Sequence, residues 1–206
     1  MNKRKIAFSS VQGRLRQAAR AVLEEKEKLK TVERTGKGIR PGARLIAKPA
    51  KGRAIEVAVR TSRERSLGFS RLNNGDWRTL EKVQLVVAVV PDRTEQGDYE
   101  VLAFESKTLK SWYGKALKQL ERASRSPELE VPVFIPLDER SKKNLGHDIV
   151  GLKNAARWRV RIEAKQLEDQ MLREDDETFI NRVKREFAER NEVDVTRVSV
   201  EFRILA

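Results

Sequence analysis

The six-residue run Leu85–Val90 (LVVAVV) constrains the fold of this chain more than any other stretch. Glu81 and Lys82 precede it and Pro91-Asp92 follow it, so it has the length of a strand rather than a helix. A strand apolar on both faces must be covered on both faces, which makes it central in a sheet. Upstream, AIEVAVRTS alternates. Ile55, Val57 and Val59 point one way, while Ala54, Glu56, Ala58 and Arg60 point the other. This period of two marks a strand with one buried face. A face carrying Glu56 and Arg60 beside a buried strand is a place where chemistry can sit.

The 206 residues suffice for one domain, or one domain with an appendage, and for a sizeable core. Lys and Arg number 44 against 31 Asp and Glu, a net charge of +13. Such a surplus points to a polyanionic partner, nucleic acid first; the plain alternative is a basic surface that binds nothing. The absence of cysteine excludes disulfides, thiolate metal sites and cysteine nucleophiles. His147 is the single histidine, which removes histidine metal clusters and argues against a Ser-His triad. No apolar run suits a signal sequence or a membrane span, so the expected location is cytoplasmic.

In chain order, residues 1–10 read as a loose basic arm with Lys3, Arg4 and Lys5. Val11, Leu15, Ala18, Val22 and Leu29 then predict an amphipathic helix over Val11–Val32, with Arg14, Arg16 and Arg20 outside. Gly36 to Gly42 read as a loop. Arg44–Ala47 and the Ala54 strand form a hairpin through Pro49–Gly52. TSRERSLGFSRLNNGDW is expected to be turn-rich, with Trp77 at the core edge. Tyr99–Ser106 is a further strand, and Lys107–Ser124 a helix with an apolar side of Leu109, Trp112, Ala116, Leu117 and Leu120. Its Lys107, Lys110, Lys115 and Lys118 face water or hold a phosphate backbone; the pattern allows both. VPVFIPL reads as an edge strand, Ile149–Ala156 as a short helix and Trp158–Ile162 as extended. Residues 164–206 read as an appendage packed on the core: an acidic stretch Gln166–Glu177, a helix through Phe179, Ile180, Val183 and Phe187, and a strand over Val195–Ile204. The fold class is α/β (α+β), a central mixed β-sheet flanked by helices, with residues 11–163 as the core.

The run GARLIA…GRAIEVAVRTS…W…VQLVVAVV…YEVLAFES resembles the core of the PD-(D/E)XK restriction-endonuclease-like superfamily, over roughly Val11 to Trp158. The resemblance implies a nuclease fold acting on DNA, with no cofactor expected unless the nuclease alternative holds, when it is magnesium. It also implies a metal-binding Asp where this chain has Arg44, and a Glu-x-Lys where it has Ala58, Val59 and Arg60. Divalent metal needs converging carboxylate oxygens. With Arg44 and Ala58 at two ligand positions, the resemblance implies a degenerate site with no metal ligand set. Glu56 and Arg60 remain as vestigial catalytic candidates.

Three functions follow as expectations. The first is a non-catalytic or weakly catalytic nucleic-acid-binding protein, its partner duplex DNA. Its phosphate contacts come from Lys3, Arg4, Lys5, Arg14, Arg16, Arg20, Arg44, Arg60, Arg63, Arg65, Lys107, Lys110, Lys115 and Lys118. The second is a magnesium-dependent endonuclease rebuilt on Glu56 with Asp76 or Glu105. The third is an interaction subunit of a mobile-element or defence system, acting as a homodimer or with a protein partner.

Overall fold

A computed structural model describes residues 3–36, 39–40, 42–125, 127–139 and 145–165, with isolated positions between 184 and 199; side chains are described from residue 11 onward. The chain divides into two compact units, Met1–Ala164 and Lys165–Ala206.

In the first unit, helix α1 (Lys3–Glu27) precedes strands β1 (Leu29–Glu33), β2 (Arg44–Pro49), β3 (Ile55–Thr61), β4 (Ser66–Ser70), β5 (Leu85–Pro91) and β6 (Tyr99–Glu105). Helix α2 (Ser106–Arg122), β7 (Pro132–Pro136), a short 3-10 helix at Leu152–Ala155 and β8 (Trp158–Ile162) complete it. The main sheet runs β1-β2-β3-β5-β6-β8 and is mixed: only β3 and β5 pair in parallel. Strands β4 and β7 form a separate two-stranded sheet. The expected α+β class with a central mixed sheet and flanking helices is the observed architecture.

The run that demanded cover receives it. Residues 85–90 are all fully buried in β5. Val86, Ala88 and Val90 pack with Ala58, Leu102 and Phe104 against Leu109, Tyr113, Ala116 and Leu120 of α2 and against Leu67, Phe69, Val133 and Ile135 of the small sheet. Leu85, Val87 and Val89 have the opposite parity and turn toward α1, which packs on β1, β3 and β5 and buries Leu15, Ala18, Ala19 and Leu23. Tyr113, absent from the expected apolar side of α2, is fully buried. Its hydroxyl donates to the Leu67 carbonyl at 2.6 Å, and its ring meets Phe69 edge-on.

Several sequence expectations are corrected. Residues 3–10 are the opening turns of α1 rather than a separate arm. The helix stops at Glu27, not Val32: Lys28 takes a left-handed φ of 52° and Leu29–Glu33 turns back as edge strand β1. Tertiary bonds select that reversal. Arg20 Nε donates to Thr31 Oγ1 and Arg20 Nη2 to the Thr31 carbonyl, both at 2.6 Å, while the Thr31 amide donates to Glu24 at 2.9 Å. The stretch read as turn-rich contains β4, whose partner β7 lies more than sixty residues on. The Asn73–Asp76 turn does form, closed by Gly75 N–H donating to the Leu72 carbonyl, and it presents Trp77 to the core rather than to its edge.

Described positions of the second unit include helical Lys184, Phe187 and Ala188, and an Asp194 carboxylate accepting from the Thr196 amide and hydroxyl. The acidic stretch and most of the strand expected over 195–204 lie outside the described residues. No described helix is long and apolar enough to cross a membrane.

A candidate anion-binding cleft

Strands β2 and β3 set the geometry. They pair antiparallel with Arg44 opposite Ala58, so both side chains leave the same face of the sheet, and Arg60 follows two residues later on that face. The Val59 amide bonds the Ala43 carbonyl at 3.0 Å, bringing the loop before β2 beside the end of β3. Helix α1 closes a third side. Gly42, at φ 66°, lies so close to Arg16 that an added Cβ would come within 3.2 Å of the Arg16 Cβ. Its amide donates to the Glu33 carboxylate. A side chain at that position would be strained and would push the loop off the helix.

The result is a cleft of about 490 Å³. Its basic lining is Arg16, Arg40, Arg44, Arg60 and Arg78, and its floor is Ala58 and Val59. Thr79 lines the rim with φ 82°, a left-handed conformation costly for a β-branched residue. Such strain persists only where the surrounding structure imposes it.

Two arginines carry most of the argument. The Arg44 Nη1 atom is buried and has no hydrogen-bond partner among the described residues. Burial lowers the Arg44 pKa most, Glu56 and Glu81 oppose that from a distance, and Arg34 adds to it. Arg60 stands over the Phe69 ring at 5.0 Å from the centroid. It is open to the cleft, yet protein replaces bulk water on several sides, and this burial is the main cause of its lowered pKa. Repulsion from Arg44 and Arg40 adds to the lowering, and the countering influence is Tyr113 rather than a carboxylate. Guanidinium stays protonated under such shifts. The cleft therefore holds concentrated positive charge with at least one buried donor lacking an acceptor, the arrangement that an anion completes.

The same residues do not fit a divalent cation. Ala58 offers a methyl group, and Arg44 and Arg60 offer cations. Glu56 is ion-paired with Arg34. Asp76 bonds Lys110 at 2.8 Å and Glu105 meets Lys107 at 3.1 Å, so each carboxylate of the rebuilt-nuclease expectation engages a separate cation. No group of three acidic or histidine side chains suited to a metal occurs among the described residues.

The remaining basic candidates divide by what they touch. Arg65 belongs to the interior rather than to a binding surface. Its Nε donates to Asp138 at 2.8 Å, its Nη2 to Glu100 at 2.8 Å and its Nη1 to the Pro91 carbonyl at 2.7 Å, and Lys153 joins Asp138 at 3.1 Å. Arg20 is engaged with Thr31. Lys107, Lys115 and Lys118 are exposed on α2, Lys110 is tied to Asp76, Arg63 is exposed after β3 and Arg14 is half-buried on α1. The side chains of Lys3, Arg4 and Lys5 lie outside the described residues. Sequence reasoning missed Arg40 and Arg78. Each flanks a turn, beside Pro41-Gly42 and after Asn74-Gly75, and cations next to turns on the sheet's end were the available signal.

No protein-family model, curated protein or solved structure matches this chain.

Proposed function

We propose that this protein binds nucleic acid, duplex DNA in the first instance, through phosphate contacts made by the arginine cleft and the exposed lysines of α2, without cutting it. The observation that carries the reading is the pairing of Arg44 with Ala58 beside Arg60. At the two positions where the superfamily resemblance implies metal-binding carboxylates, the chain presents a cation and a methyl group beside a cleft. The net charge of +13 supplies the long-range attraction. Because affinity comes from phosphates, it falls steeply with salt, by roughly 0.9 log units per log unit of salt for each phosphate neutralised.

The test is a labelled duplex titrated at low and moderate salt, with EDTA, magnesium or manganese, following binding and strand integrity together. Salt-dependent binding with intact strands in every metal is expected. Metal-dependent cleavage abolished by Glu56→Ala would replace this reading with a rebuilt nuclease. Absence of binding at low salt would leave the protein-partner function in its place.

A further inference from the structure

We infer that the cleft receives a terminal phosphate monoester, presented by the end of a nucleic-acid strand, while the α2 lysines hold the neighbouring duplex. The inference rests on the nucleic-acid reading above and specifies what the cleft itself takes. Three observations carry it.

The first is size. A cleft of about 490 Å³ falls within the range that encloses a small-molecule-sized group. It cannot take in the body of a duplex, whereas a strand end or a single nucleotide fits.

The second is charge. Arg16, Arg40, Arg44 and Arg60 line the cleft, Arg78 adds a guanidinium that is already paired with Glu130, and no carboxylate forms an ion pair with Arg44 or Arg60 among the described residues. An internal phosphodiester brings one negative charge, whereas a terminal monoester brings about 1.5 to 2 at neutral pH and three acceptor oxygens. The denser anion matches the cleft better.

The third is donor geometry. Arg44, which lines the cleft beside Arg60, has a buried Nη1 without an acceptor among the described residues. Guanidinium presents a planar fork suited to two phosphate oxygens at once.

The experiment compares four duplexes of one sequence at moderate salt: 5′-phosphorylated, 3′-phosphorylated, hydroxyl-ended, and closed at both ends as a dumbbell. A nucleoside diphosphate serves as a fifth ligand, because it carries a terminal dianionic phosphate without a strand. The expected result is a preference of about tenfold or more for one phosphorylated end over both the hydroxyl end and the dumbbell, the size of one or two charge-assisted hydrogen bonds. Arg44→Gln and Arg60→Gln should erase that preference, whereas Lys115→Ala with Lys118→Ala should weaken all four duplexes alike. If the glutamine variants fail to fold by circular dichroism, Arg60→Lys keeps the charge but not the fork, and it should reduce the preference. Equal affinity for all four duplexes would overturn the end-binding inference while leaving the nucleic-acid reading intact. Arg60-dependent diphosphate binding without DNA binding would overturn the strand-end inference together with the nucleic-acid reading. Absence of binding to any of the five would also overturn both.

Discussion

Arg44 and Ala58 face one another across the antiparallel β2–β3 pair, and the buried Nη1 of Arg44 has no hydrogen-bond partner among the described residues. A buried donor without an acceptor costs about 1–3 kcal/mol, so this position is less stable empty than filled. An anion that binds there should stabilise the fold. Wild-type protein should show a rise in melting temperature with added inorganic phosphate at constant ionic strength, and Arg44→Gln should lose most of it. An equal rise in both proteins would mean that phosphate acts elsewhere.

Arg60 offers the sharper functional variant, because its guanidinium opens onto the cleft and its protein contact is the Phe69 ring. Arg60→Gln should weaken duplex binding about tenfold or more at moderate salt and lower the salt slope by roughly one phosphate contact. Loss of one exposed cation–π contact should cost about 1 kcal/mol of stability or less. Salt-titrated anisotropy and urea melts of the same samples separate the two effects.

Arg65 should behave in the opposite way. It links Asp138, Glu100 and the Pro91 carbonyl, and all three charged side chains are largely buried. Arg65→Ala leaves Glu100 without its cation and Asp138 with Lys153 alone, and should cost about 3–5 kcal/mol, seen as a lowered urea midpoint. Arg65→Lys should rescue little, since an ammonium cannot reproduce the fork. Any DNA affinity measured on the folded fraction should be nearly unchanged.

The same network makes stability pH-dependent. Burial works to raise the Asp138 pKa, but hydrogen bonds from Arg65 and Lys153 prevail and hold it below the ordinary 3.8. A carboxylate depressed in the folded state contributes stability that is complete above its unfolded pKa and is lost as pH falls through the folded one. Urea midpoints should therefore drop as pH falls below about 4, the region of the unfolded Asp pKa. The drop should be shallower in Asp138→Asn, which lacks the group that titrates.

The β4–β7 sheet makes a packing prediction. Gly68 lies opposite Phe134, and a Cβ at Gly68 would approach the Phe134 ring to 2.6 Å. Gly68→Ala should destabilise by roughly 1–3 kcal/mol, the usual cost of overpacking. The half-exposed ring can move or be removed. Added to Phe134→Ala, Gly68→Ala should therefore cost markedly less, a non-additivity that a double-mutant cycle in urea measures.

The legible part of this molecule was the part encoded by local period. The alternation of residues 54–60 and the doubly apolar run 85–90 placed two adjacent core strands, and the hairpin before them was readable from Pro49 and Gly52. Period two also put Glu56, Ala58 and Arg60 on one face, and of these Ala58 and Arg60 line the cleft.

What the sequence determined by itself was which side chains share a face; what only the tertiary structure decided was what stands opposite them. The helix reads on past Glu27 until Arg20 and Glu24 capture Thr31 and turn the chain into β1. SLGFS reads as a turn until β7 arrives from far along the chain. The arginines look equivalent in a line of text, yet Arg65 meets Asp138 across 73 residues and is spent inside the fold, whereas Arg44 has Ala58 as its cross-strand neighbour and keeps a donor unmet among the described residues. A charge becomes a bridge or a binding group according to its partner in space. Side-chain periodicity is local, and such partners are not.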